Sequence, residues 1–144
     1  MADKEVAALM AEIDFCMMET HSQDGRIAAR PMSSNGDVGY CGQSWFYSYE
    51  ESRKIRDIRN DNRVGLSFQG LGGVLGLVGK PGVMIHVQGR ATLIGDRATF
   101  EKHWVPELEY WFKDGVGTPG MIMILVDAER IHYWDGNDDG EVRP

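Results

Sequence analysis

The sequence predicts a mainly β domain: an antiparallel barrel or strongly curved sheet with helices outside it. Three observations carry this. Apolar and polar residues alternate with a period of two over several stretches, the pattern of half-buried strands. Several connections, Ser22-Gln-Asp-Gly25 among them, are too short for the crossover that parallel strands require. The strands also outnumber the helices and do not alternate with them, which argues against a doubly wound α/β fold.

Each element has its own signal. Val6, Leu9, Met10 and Ile13 fall at i, i+3, i+4 and i+7, one apolar face of a helix from Asp3 to Ile13. Phe15 to Thr20 is an apolar run of strand length. Asp24-Gly25 marks the hairpin turn to a return strand, Arg26 to Met32, whose Pro31 suits an edge or a bulge. Asn35-Gly-Asp and Gly39 mark another turn before the strand Trp45 to Tyr49. Ser48-Tyr-Glu-Glu51 reads as a capping box that starts a helix ending near Asn60. Val64, Leu66 and Phe68 alternate with Gly65, Ser67 and Gln69, as a strand does. Six glycines between positions 70 and 82 form a long flexible connection. Met84 to Ile94 alternates again. Asp96 caps a helix from Arg97 to Trp104, and Pro106 suits the first turn of another that ends at Asp114-Gly115. Met121 to Val126 and Arg130 to Trp134 are the last two strands, and Asp135 to Pro144 reads as an acidic, loose tail. The organisation expected is one domain over residues 1–135 with a tail over 136–144.

Composition narrows the functions. The 144 residues are 42% hydrophobic and 26% charged, enough to bury a core without disulfide or metal staples. A formal net charge of −7 speaks against nucleic acid and anionic membranes as partners. No apolar run reaches the ~18 residues of a membrane span, and the start of the chain has no secretory h-region, so a cytoplasmic location is expected. Cys16 and Cys41 form no CxxC pair and read as buried thiols. The four histidines show no metal-binding spacing.

Most candidate chemistry fails on inspection. Gly79-Lys80 resembles the end of a P-loop, but Val74 stands where that motif needs glycine and Pro81 where it needs Ser or Thr. The carboxylate pairs Glu50-Glu51, Glu107/Glu109 and Asp138-Asp139 sit in polar sequence and read as solvated surface. No Gly-x-Ser-x-Gly elbow is present. The aromatic cluster Trp104, Tyr110, Trp111 and Phe112 is core, dimer interface or a ring-stacking wall. The informative segment is Ser52 to Arg63. Five of the chain's 15 basic residues lie in the 11 positions from Arg53, against two acids. Ser52, Arg53 and Lys54 also sit in a predicted first helical turn, where free N–H groups and the dipole favour an anion. Arg30-Pro-Met precedes the aromatic strand that runs into this turn. Together they suit a flat, phosphorylated heterocycle; the bland alternative is a solvated basic helix face.

These same residues carry a family resemblance. Phe46-Tyr-Ser-Tyr-Glu-Glu-Ser-Arg-Lys54 resembles the Phe-Tyr-Thr…Ser-Arg-Lys segment of the pyridoxamine 5'-phosphate oxidase-like, FMN-binding split barrels. Arg30-Pro-Met-Ser-Ser resembles that family's flavin-facing strand, Val87-Gln-Gly-Arg-Ala91 its central barrel strand, and Tyr133-Trp-Asp135 the ending of the general stress protein branch. The similarity spans roughly residues 4 to 135.

The resemblance implies a six-stranded antiparallel split β-barrel and a homodimer with FMN, or alternatively FAD, at the subunit interface. Carried residue by residue, it implies that Arg30 contacts the flavin or ribityl region, within the segment Arg30, Pro31, Met32, Ser33. Tyr47 and Ser48 would bound the ribityl and phosphate. Arg53 and Lys54 would hold the phosphate, with Ser52 nearby. Three departures set the chain apart from the vitamin B6 oxidases: Asn35 replaces a lysine late in the Arg strand, the Gly-rich loop adds length before Met84, and the substrate-clamping C-terminal extension is missing. The expectation is therefore an FMN-binding flavoprotein, an oxidoreductase if it turns over. The alternatives are a flavin- or heterocycle-binding stress-response module without turnover, and a dimeric barrel that has lost its cofactor. No catalytic acid or base is identifiable.

Overall fold

The computed structural model describes residues 3–38, 42–70 and 82–144. Cys41 and most of the Gly-rich stretch, including Gly79-Lys80, lie outside them. The order is α1 (Asp3–Glu12), β1 (Phe15–His21), β2 (Ile27–Ser33), β3 (Ser44–Tyr49), α2 (Arg53–Asn60), β4 (Arg63–Gln69), β5 (Met84–Ile94), α3 (Arg97–His103), β6 (Met121–Asp135) and β7 (Asp138–Val142). Two short 3-10 turns, Pro106–Tyr110 and Gly115–Gly117, join α3 to β6. No described helix is long and apolar enough to cross a membrane.

All the strand pairs are antiparallel, in the order β2-β1-β4-β5-β6-β3, with β7 added beside β6. The six-strand path is the expected split barrel. It does not close, and β2 and β3 are its two free ends. Alternation sets which face is buried. Met18, Leu66, Val87, Phe46, Ile124 and Val126 point into the barrel, where α1 adds Val6 and Met10. A second core lies outside β3 and β6, where Tyr47, Met121 and Met123 are covered by Phe100 of α3 and by Leu108 and Phe112.

Four local expectations are corrected. The helix after β3 begins at Arg53 rather than at the proposed capping box: Ser48 and Tyr49 complete β3, and Ser52 is the N-cap. The helix expected from Pro106 to Asp114 is a single 3-10 turn, and the Tyr49 hydroxyl donates to the Trp111 carbonyl where an α-helix would have continued. The two last strands are one. Asp127 and Glu129 interrupt the apolar pattern, but Asp127 accepts from the Gln43 amide at 2.9 Å and Glu129 pairs with Arg90 at 3.4 Å, across a bulge at Gln88/Gly89. The tail is also ordered. Gly136, with φ +64, turns the chain back into β7, where Val142 reaches the core and Glu141 pairs with Arg130 at 2.8 Å.

Candidate functional site

An antiparallel sheet that stops short of closing leaves two edges facing each other, and their unpaired backbone groups and side chains can line a slot. Here the slot is a cavity of about 290 Å³. Pro31, Met32 and Ser33 of β2 form one wall, and Tyr47, Ser48 and Tyr49 of β3 the other; Lys54 reaches in from α2. Phe15, Asn35, Leu108, Trp111 and Phe112 complete it, so its surface is mostly apolar and aromatic with a few polar points. Proline explains its own place: without an N–H it suits an edge that needs no further ladder bond.

Lys54 is the charged point. It is half-buried, and among the described residues no ion pair or hydrogen bond involves its ammonium. Burial, and then the nearby positive charge of Arg30, push its pKa down from the usual lysine value. An ammonium in that state gains by meeting an anion. The backbone N–H groups at the start of α2 have no helical acceptor and add to the pull on an anion.

Arg30 stands behind this point, held from one side. One terminal nitrogen, Nη1, donates to the Thr20 hydroxyl at 2.7 Å and to the Met18 carbonyl at 3.2 Å. The other, Nη2, lies 3.5 Å from Oδ2 of Asp57, a carboxylate on α2 that is 2% exposed. Thr20 Oγ1 in turn donates to the same Asp57 oxygen at 2.8 Å.

The nine sequence-derived residues are thus divided. Pro31, Met32, Ser33, Tyr47, Ser48 and Lys54 line one cavity. Arg30 and Ser52 lie just behind it. The Ser52 hydroxyl donates to the Tyr49 carbonyl at 2.8 Å and lies 3.2 Å from the Ser48 hydroxyl. Arg53 instead faces a separate hollow, which it lines with Asp24, Arg56 and the buried Asp57. Tyr47 offers its ring rather than its hydroxyl, which donates to the Phe100 carbonyl at 2.5 Å; burial pushes that phenol's pKa well up.

Sequence reasoning missed Phe15, Asp57 and Thr20. Phe15 looked like the first residue of an apolar strand, and only the fold shows it exposed beside the slot. Asp57 looked like one acid in a basic helix face, and nothing in the spacing tied it to Arg30, 27 positions earlier. The aromatic cluster splits by role: Phe112 is core, Trp111 is a half-exposed rim of the cavity, and Tyr110 is on the surface.

A larger basin, of about 740 Å³, adjoins the slot on the outer face of β1, β4 and β5 and shares Phe15 and Pro31 with it. Met17, Met84 and Trp134 lie exposed in this basin. Its polar side holds Ser67, whose hydroxyl donates to Glu19, and His86, which lies 3.6 Å from the same carboxylate. His132, directly across from His86 in the register, stacks on Trp134 with ring centroids 4.2 Å apart and pairs with Asp139 at 3.0 Å.

A family model described as "Pyridoxamine 5'-phosphate oxidase like" matches residues 2–143. Protein bli-3 of Neurospora crassa is 28% identical over 138 residues, which are 90% of this chain and 62% of that protein; the chain therefore spans less than two thirds of this curated relative. Among solved structures, a protein from Clostridium acetobutylicum related to general stress protein 26 has a TM-score of 0.78 at 18% identity, over 99% of this chain and 96% of that one. General stress protein 26 of Bacillus anthracis also has a TM-score of 0.78 at 18% identity, over 99% and 98%. A heme binding protein of Mycobacterium smegmatis reaches 0.78 at 13% identity, over 99% of this chain and 58% of its own. At these identities the solved structures speak for the fold.

Proposed function

The chain belongs to the pyridoxamine 5'-phosphate oxidase-like family, and from that premise we propose that it is an FMN-binding flavoprotein of the general stress protein type. The observation that carries the reading is Lys54: a half-buried ammonium, unpaired among the described residues, in a mostly apolar, aromatic slot. A slot with one cationic end fits a flat ring that bears a phosphate on a polar tether. FAD is the second flavin to test.

The residues have distinct tasks in this reading. Lys54, the N–H groups at the start of α2 and the Arg30 guanidinium hold the phosphate through charge-assisted bonds. Arg30 thus serves the phosphate end beside Lys54 rather than the ring. Ser48 offers a hydroxyl along the tether, while the Ser33 hydroxyl donates to Asp14. Pro31, Met32, Phe15 and Trp111 exclude water from the ring. FMN, when bound, supplies the redox chemistry. Among the described residues that line the slot there is no carboxylate or imidazole. That observation favours a second reading, a flavin-binding module without turnover.

We also place a second copy of the chain on the outer basin, as a homodimer. Phe15, Met17, Met84 and Trp134, four exposed large apolar side chains, gather on that one face, as in an interaction surface. Since the basin shares Phe15 and Pro31 with the slot, a copy seated there also walls the ring end. The test is the visible absorption spectrum of the purified chain, followed by titration with FMN. A flavin band, or saturable FMN binding, supports the reading. A colourless protein that FMN does not titrate overturns it. Steady-state oxidation of a reduced nicotinamide then separates an oxidoreductase from a binding module.

A further inference from the structure

We infer that Asp57 is a positioning residue: with Thr20 it grips one edge of the Arg30 guanidinium and leaves the opposite edge free for a phosphate. The inference rests on the flavin reading and adds to it a residue outside the slot. The argument is an account of donors. A guanidinium has five N–H donors in a rigid plane. Both Nη1 donors have protein acceptors, Thr20 Oγ1 at 2.7 Å and the Met18 carbonyl at 3.2 Å. Nη2 faces Asp57 Oδ2 at 3.5 Å. That 3.5 Å contact is an ion pair and not a hydrogen bond, so among the described residues neither the Nε–H nor the Nη2 hydrogens have a hydrogen-bond acceptor; the Nε–H and the Nη2 hydrogen beside it form the edge that meets two phosphate oxygens at once. Asp57 is suited to fix that plane. It is 2% exposed, so it does not swing into solvent, and Thr20 donates to its Oδ2 at 2.8 Å. The hydroxyl of Thr20 therefore touches both members of the ion pair. A buried Arg–Asp pair is not in itself a gain in stability, and this one has its guanidinium near enough to Lys54, the only described cation of the slot, for the two charges to act on each other, which gives it a use.

The sign of the effect separates positioning from charge. Asp57→Asn keeps the shape and an acceptor for Thr20 but removes a negative charge beside the phosphate site. If charge alone mattered, FMN would bind the variant more tightly. If Asp57 orients Arg30, FMN binds it about tenfold or more weakly, while riboflavin, which lacks the phosphate, changes less than about twofold. Arg30→Ala sets the full loss, and adding Asp57→Asn to it costs nothing further, because the residue to be oriented is gone. Thr20→Val, which removes both hydroxyl contacts and keeps the β-branched shape, shifts FMN in the same direction. It serves as the second variant if near-UV circular dichroism shows Asp57→Asn to be unfolded. Equal or tighter FMN binding by the folded variants overturns the inference and leaves the flavin reading standing. So do equal losses for FMN and riboflavin, or additive losses in the double variant. Failure of the wild-type chain to bind FMN overturns both.

Discussion

At the scale of single residues, the basic turn that the sequence singled out does two things at once. Arg53 and Lys54 are neighbours in sequence but face different hollows, because adjacent positions on a helix point about 100° apart. Their substitutions should therefore differ. Lys54→Ala should weaken FMN by about tenfold or more, since a charge-assisted contact contributes about 1.5–3 kcal/mol. Arg53→Ala should change it by about threefold or less, since an exposed charge is screened. Isothermal titration with FMN and with riboflavin checks both; an Arg53 effect as large as that of Lys54 would put the phosphate on the other side of the helix start. Glu19 gives a pH prediction. Burial raises its pKa, but the His86 imidazole 3.6 Å away and the hydrogen bond from Ser67 outweigh that and leave it below the usual value of 4.5. A carboxylate with a depressed folded-state pKa stabilises the protein above its unfolded pKa, and the gain disappears as pH falls through the folded one. Glu19→Gln should thus lower stability by about 1 kcal/mol near neutrality, with the gap to wild type closing as the pH drops below 4.5. Urea melts across pH 3–7 (roughly the carboxylate range) measure it, and a gap that persists at acid pH would assign the loss to packing. The motif residues were legible because their types and order are local: Pro31 to Ser33 and Tyr47 to Lys54 are two short runs of sequence. Asp57 was not, because its meaning depends on Thr20 and Arg30, which only the β1–β2 hairpin brings against α2.

At the scale of elements, period-two alternation was enough to find β4 and β5, an apolar run of strand length found β1, and Asp96 was correctly read as an N-cap, accepting from the Thr99 N–H at 3.2 Å. Two of the four misreadings share a cause: polar residues taken as breaks where they have partners inside the sheet. Asp127 and Glu129 are answered by Gln43 and Arg90, so β6 runs unbroken for 15 residues. The acidic tail is answered by Arg130 and His132, which a sequence reading has no means to place opposite Glu141 and Asp139. The bulge that lets β6 carry the extra residue depends on Gly89. A Cβ there would collide with the Asp127 backbone carbonyl, which has no flexible end to move aside. Gly89→Ala should therefore destabilise the fold by about 2 kcal/mol, seen as a lower urea midpoint with an unchanged slope. Gly95→Ala, where nothing lies within 4 Å, is the control and should change little. Equal effects at the two positions would mean that the bulge relaxes without cost.

At the scale of the whole molecule, the open sheet relates the slot to the outer face. The slot exists because β2 and β3 end the six-strand path without pairing, and the basin begins on the other side of Phe15 and Pro31. A partner that covers the basin therefore shields the ring end of the slot from water, so assembly and flavin binding should rise and fall together. Met84 tests this link. It is exposed in the basin, lies between Gln69 and Trp134 in the register, and is not among the residues that line the slot. On an open surface Met84→Glu would be nearly neutral, as surface substitutions usually are. Sealed in an apolar interface, the new carboxylate is an unpaired buried charge in each subunit, costing about 3–5 kcal/mol, or at least a hundredfold in the dimer dissociation constant. Sedimentation equilibrium at micromolar concentration should give the wild type twice the 16.1 kDa of one chain and the variant a mass close to 16.1 kDa. FMN titrated into the same samples should bind the variant more weakly, and raising the protein concentration should restore part of the affinity by mass action. A variant that remains dimeric would move the interface off this face. A monomeric variant that binds FMN as tightly as the wild type would show that one chain builds the whole flavin site alone.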